Sequence, residues 1–304
     1  MKTITRLVNQ RVKGWKVVTS HMCILGESPV WDARNRRILW VDITEGRIHQ
    51  FFPENKKHKA TNIGQMIGAI CLTTSGGLIA ALQNGFATVD LEKGTIRHIE
   101  DPEVHLPGNR FNDGKCDPKG RFWAGTMAFS NKANAGSVYV LEQDLSVSLK
   151  IKGVSCSNGM AWSPDHTTFY YIDTPTRKVV AYDFDIAAGA ISNRRTVINF
   201  PESEGYPDGM TIDTDGMLWI AMWDGWKVTR YDPATGELIQ SILLPVAKVT
   251  SCVFGGENLQ DLYITTARAG LTNEDLYHQP LAGCLFVAKK TGSTGMMAYE
   301  FNNK

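Results

Sequence analysis

Four side chains carrying a carboxylate or amide oxygen stand at matched distances ahead of bulky residues. Glu27 lies 13 residues before Trp40 and Asn158 lies 13 before Tyr171, whereas Asp208 and Asn112 lie 11 before Trp219 and Trp123. The two-residue offset is read as turn length, ARNRR and PDHTT being longer than PKGR and TDGM. Glu, Asp and Asn oxygens brought to one place are the donors that a hard divalent cation takes. Two carboxylates beside neutral amides leave such an ion only partly neutralised, hence electrophilic and open to water and substrate. Taken singly, Asn158-Gly159 and Asp208-Gly209 are ordinary turn dipeptides. Their shared register is what raises them above that.

Other chemistries are poorly represented. The seven histidines (His21, His49, His58, His98, His105, His166, His278) have no recognisable ligand spacing, and each is read as a solvated or turn residue. No G-x-S-x-G elbow or phosphate-cradling loop occurs. Six scattered cysteines include no C-x-x-C pair and are expected to be free thiols in a reducing, cytoplasmic setting.

The elements that must position the four oxygens show as a repeat. Six segments read as a short apolar strand, a polar turn and a second strand: ESPVWDARNRRILWVD, GAICLTTSGGLIAAL, NDGKCDPKGRFWAGT, SNGMAWSPDHTTFYYID, PDGMTIDTDGMLWIAM and TSCVFGGENLQDLYITT. Their centres, Trp40, Ile79, Trp123, Tyr171, Trp219 and Tyr263, are 39, 44, 48, 48 and 44 residues apart. Third strands follow, and several units have a fourth. Apolar residues alternate with period two between Gly, Pro, Asp and Asn, and no stretch carries a helical period. Four short strands repeated six times predict an all-β, six-bladed β-propeller spanning residues 1–304 as one domain. The first strand of each unit would line the central channel, so residues entering those strands would ring one mouth. WKVVTS is expected to be the outer strand of the last blade, closing the ring, and residues 271–280 an exposed loop within that blade.

Composition fits this reading. The chain has 304 residues, 43% hydrophobic and 21% charged, with 28 Gly and 8 Trp. Lys+Arg 32 against Asp+Glu 31 gives a net charge of +1, too balanced to favour nucleic acid or an anionic membrane. No apolar run approaches the ~18 residues of a membrane span, and the basic N-terminus has no signal-peptide core. A monomer or weak homo-oligomer acting on a small molecule is expected.

The strings LGESPVWD, NRFNDGKCDPKGRFWAGTM, SNGMAWSPD, YYIDT and GYPDGMTIDTDGMLWIA, with TSCVFGG and LYITTA near the end, extend over about residues 20 to 270. In them the chain resembles the gluconolactonase/regucalcin (senescence-marker) family of six-bladed propellers, which includes luciferin-regenerating enzymes. The resemblance implies that Glu27, Asn158 and Asp208 ligate one divalent cation, that Asp208 is also the acid/base, and that Arg110 and Asn112 contact substrate. It implies a departure too. Acidic residues follow AGTM in regucalcins, whereas Ala128-Phe129-Ser130 follows here, so Phe129 or Ser130 is expected to replace an acidic substrate contact.

The resulting expectation is hydrolysis of a sugar (aldono-)lactone to the sugar acid, the metal polarising the carbonyl. Ca²⁺ is the first choice; Zn²⁺, Mg²⁺, Mn²⁺ and Fe²⁺ are compatible with the donor set. Two alternatives stand: a metal-dependent esterase, organophosphate or non-sugar lactone hydrolase, and a calcium-binding propeller without turnover.

Overall fold

The computed structural model describes residues 10, 11 and 14–302. It is a six-bladed β-propeller. The inner strands are Gly26–Asp32, Ile67–Leu72, Asn109–Cys116, Ser157–Trp162, Tyr206–Ile212 and Val249–Gly255, one per blade in chain order. Each opens an antiparallel sheet whose next strands step outward, and the inner strands contact one another in a closed cycle from blade one round to blade six. Apolar residues gather in six clusters, one between each pair of neighbouring blades. Strands apolar on both faces are thereby explained, because each blade is covered on both sides.

Trp15–Val17 pairs with Phe286–Ala288 as the outermost strand of blade six, closing the ring as the sequence suggests. Gln10–Arg11 adds a parallel fifth strand to blade five. The 271–280 segment differs from expectation: Asn273–His278 is a short helix. Thr272 and Asp275 form a reciprocal capping box at its start, and six residues are too few for a helical period to register in the sequence.

A buried aspartate explains why the turns recur. In DPKGRFW, the Asp117 carboxylate accepts from the Lys119 and Arg121 amides, from Arg121 Nε at 2.5 Å and from Trp123 Nε1 at 2.9 Å. In DTDGMLW, Asp213 accepts from the Asp215 and Met217 amides, Trp219 Nε1 at 2.9 Å and Arg230 Nε at 2.8 Å. Gly120 and Gly216 hold the positive φ that both turns require, +86° and +81°. One carboxylate thus ties a turn to the tryptophan that fills the gap between blades.

Where six free thiols were expected, Cys71 and Cys116, on the inner strands of blades two and three, are joined as a disulfide. Neighbouring inner strands bring these positions together although 45 residues separate them. Cys23, Cys156, Cys252 and Cys284 are free. No helix among the described residues is long and apolar enough to cross a membrane.

The C-terminal segment runs across the end of the channel away from the four oxygens. Thr214 N–H donates to Thr294 O, Gly295 N–H to Leu259 O, Phe301 N–H to Leu72 O and Asn302 N–H to Gly120 O, touching blades five, six, two and three in turn. Met296, Met297 and Tyr299 help enclose a space of about 70 Å³ beneath it.

Asp213→Ala should cost about 3–5 kcal/mol in urea unfolding, since it strands buried donors and the Arg230 guanidinium. Asp183→Ala, which removes a half-exposed pair with Arg195, should leave the urea midpoint close to that of wild type.

Candidate metal centre at the channel mouth

Every inner strand breaks register with its neighbour soon after it begins. The shifts lie between Glu27 and Val30, Ile67 and Ala69, Phe111 and Gly114, Ser157 and Met160, Pro207 and Met210, and Val249 and Ser251. Asn112, Asn158 and Asp208 sit within these bulges, where the extra residue re-aims side chains. In blade one Ser28 takes the bulged position, at a left-handed φ of +46°, and Glu27 precedes it. In blade one the two-residue offset therefore has another cause than turn length, whereas in blade four Tyr171 pairs with Met160 and the turn is one residue longer than in blades three and five. Trp123 and Trp219 pair directly with Lys115 and Thr211, whereas Trp40 lies between paired Leu39 and Val41, opposite the bulge.

The structure brings Glu27, Arg110, Asn112, Asn158 and Asp208 to the wall of one cavity of about 520 Å³. All five are buried, at 3 to 9% exposure. Glu27 Oε2 accepts from the Ser28 amide at 2.7 Å. Asn112 is fully oriented: its amide nitrogen donates to Ser157 O at 2.8 Å and its Oδ1 accepts from Arg110 Nη1 at 2.8 Å. Arg110 Nη1 also donates to Phe111 O, leaving the rest of its fork uncommitted among the described residues.

Asn158 is the informative residue. Its amide nitrogen donates to Thr174 Oγ1 at 2.8 Å, and Thr174 passes a hydrogen bond on to Pro207 O. That chain fixes which way the amide faces and leaves Oδ1 as a buried acceptor with no partner among the described residues. An orphaned buried acceptor costs about 1–3 kcal/mol. Two buried carboxylates share its cavity. Burial, then the charges of Asp208 and Asp113, holds the Glu27 carboxyl well above the ordinary range. Burial, then Asp113, raises Asp208 likewise, with the Gly209 amide and Asn158 pulling the other way. A lone oxygen and two poorly compensated carboxylates are the donor set a hard divalent cation fits.

Asp113 was not singled out in the sequence, although it follows Asn112 in NDGKC. It is buried deeper along the same strand, its own carboxyl raised by burial against the opposing pull of Lys115. Lys115 Nζ donates to Met210 O at 2.6 Å. Thr174, at the end of YYIDT, also went unread, because its role depends on a contact with blade five. Leu25, Ile43, Met127, Pro175, Tyr206 and Trp223 complete the mouth as an apolar wall.

The profile of the SMP-30/Gluconolactonase/LRE-like region matches residues 25–268. The chain belongs to this family. It is 42% identical over 279 residues to regucalcin of Danio rerio, covering 91% of this chain and 94% of that protein. It is also 42% identical over 267 residues to a Bacillus subtilis protein named "Putative sugar lactone lactonase YvrE", covering 88% and 91%. A solved structure of a calcium-binding protein, regucalcin, from Agrobacterium tumefaciens superposes with a TM-score of 0.89 at 26% identity, covering 95% and 97%.

Within this SMP-30/gluconolactonase-type mouth, Phe129 and Ser130 are not where the sequence reading puts them. Met127 and Asn131 line the cavity, and Phe129 and Ser130 do not. Phe129 is 43% exposed. The strand ends at Ala128 and a turn follows, with the Asn131 amide donating to Ala128 O, so Phe129 and Ser130 bow outward and Asn131, at φ +54°, returns to the mouth.

Because protons and cations compete for raised carboxyls, cation affinity should go on climbing as pH rises beyond the ordinary carboxylate range, measured by calorimetry with Ca²⁺ and Mn²⁺. In EDTA, Glu27→Gln should unfold at a higher temperature than wild type, gaining about 1 kcal/mol from the removal of a buried charge, while losing cation-induced stabilisation.

Proposed function

We propose that this protein hydrolyses a sugar lactone, a cyclic ester of an aldonic acid, at the channel mouth. The observation that carries this reading is the unpartnered Asn158 Oδ1 beside the buried Glu27 and Asp208 carboxylates, facing a cavity of ligand size. The relatives named for lactone chemistry and calcium binding support it. A divalent cation held by Glu27, Asn158 and Asp208 supplies, when bound, a Lewis acid for the carbonyl oxygen, worth several kcal/mol at the developing oxyanion.

The remaining chemistry belongs to the chain. Asp208 accepts a proton from the attacking water as the carbonyl carbon gains its new oxygen. It returns that proton to the ring oxygen as the carbon–oxygen bond of the lactone breaks, yielding the hydroxy acid. Arg110, braced by Asn112 and by Phe111 O, offers its free N–H groups to substrate hydroxyls. Asn112, with its own hydrogen bonds spent, acts mainly by holding the guanidinium in place. Asn131 offers a neutral amide where an acidic contact was expected. The apolar wall supports a second reading in which a non-sugar lactone or ester is the better substrate.

After EDTA treatment, proton release from a lactone panel in a pH-stat should vanish and return with single metals. Asp208→Asn should lose essentially all turnover, and retained wild-type turnover would refute its role. An aryl ester or organophosphate turned over more than about tenfold faster than every sugar lactone would favour the second reading. Asn131→Gly, which keeps the backbone free to hold positive φ, should lower kcat/KM about two- to tenfold for a hydroxylated lactone but not for its deoxy analogue. Ser130→Ala should change neither.

A further inference from the structure

Three side chains that the sequence reading took as ordinary meet where the ring closes. His21 and Cys23 lie on the segment that crosses from the closing strand Trp15–Val17 into blade one, and His49 lies on the third strand of that blade, Arg47–Phe52. Their ligand atoms all fall within 4.8 Å of one another. None of the three lines the channel-mouth cavity. His49 and Cys23 are fully buried, and His21 is partly open to solvent.

The surroundings prepare these atoms as ligands. His49 Nδ1 lies 3.0 Å from His58 Nε2, so that nitrogen is engaged by a second imidazole. His49 Nε2 is buried with no partner among the described residues. When Nδ1 carries the proton and donates to His58, Nε2 presents a bare lone pair, the arrangement in which an outer hydrogen bond fixes the tautomer of a metal-binding histidine. Trp40 Nε1 donates to Cys23 Sγ at 3.3 Å, offsetting part of the burial that keeps the thiol protonated, while its ring stacks on His49 at 4.9 Å. The Asp42 carboxylate accepts from the Ile24 and Leu25 amides and pins the segment that delivers Cys23. Burial pushes the Cys23 thiol up to about 12 and His49 down to about 3, and lowers His21 and His58. Two imidazoles and a sulfur are a softer donor set than the all-oxygen channel mouth, matched to different ions.

We propose that His21, Cys23 and His49 form a second metal site, separate from the channel mouth, which takes Zn²⁺ through two imidazole nitrogens and one thiolate. Cys23 releases its proton to solvent on binding. The side open at His21 leaves a fourth, water-filled position in a tetrahedral shell. The ion clamps the crossing segment to blade one.

The test uses the full chain stripped with EDTA under reducing conditions, titrated with ZnCl₂ or CoCl₂. One Co²⁺ per chain should give a thiolate-to-cobalt charge-transfer band that persists in Glu27→Gln and disappears in Cys23→Ser. In Glu27→Gln, where the mouth has lost a carboxylate, Zn²⁺ should raise Tm by several degrees, and hardly at all once His21→Ala is added. His21 is partly exposed on a connecting segment, so this second substitution keeps the test sound even if the buried Cys23→Ser variant misfolds. Adding His21→Ala to Glu27→Gln should also weaken Zn²⁺ binding at least tenfold in competition with a chromophoric chelator. Absence of a thiolate band, its persistence in Cys23→Ser, an unaltered Zn²⁺ response on adding His21→Ala to Glu27→Gln, or loss of Zn²⁺ binding in Glu27→Gln would each overturn the proposal.

Discussion

The channel mouth depends on a ring closed by three paired residues at each end of the chain: Trp15 with Ala288, Lys16 with Val287 and Val17 with Phe286. No single blade contains the site. Glu27, Asn112, Asn158 and Asp208 come from blades one, three, four and five, and the inner strands that carry them touch one another only because the cycle is closed. Opening the ring would uncover the facing apolar sides of blades six and one, leave the outer strand of blade six unpaired, and give the oxygens no reason to meet. Closure is enforced where it matters most, for the segment leaving the closing strand reaches Glu27 within ten residues and is pinned on the way by Asp42.

Closure alone does not aim side chains. The bulges do so, by breaking the ladder at the same level in every blade, and the cost appears in the site as Ser28 at positive φ and as buried carboxyls far from their ordinary acidity. Such strain and charge persist only because the surrounding structure over-determines them. The interblade clusters and the aspartate-tied turns supply that rigidity at a distance, on the outer side of the same strands. Stability and reactivity are thus built from one repeat but from opposite ends of it.

This division also governs what could be read from the sequence. The propeller was legible because each unit carries its own period-two strands and its own polar turn, all local signals. Glu27, Asn112, Asn158 and Asp208 were legible as a set because a repeat makes register visible. The different count in blade one arose because Trp40 and Trp123 look alike in sequence, whereas Trp40 lies across from the bulge and Trp123 pairs beyond it. Phe129 and Ser130 were misplaced because a turn of two residues reverses which side chain faces inward. Asp113, Thr174 and the His21–Cys23–His49 cluster were invisible for another reason: their meaning lies in contacts between strands far apart in the chain. The helix at Asn273–His278 was too short to carry a period.

The segment from Thr294 to Asn302 gives the channel a floor. It crosses from blade five to blade three and is tied down at four points by backbone hydrogen bonds. A molecule that reaches Arg110 and Asp208 therefore finds a dead end and has to back out through the doorway by which it came. Arrival and departure are mutually exclusive events, so traffic through this vestibule is single-file. A charged guest held by Arg110 would bar the doorway to its successor until it left.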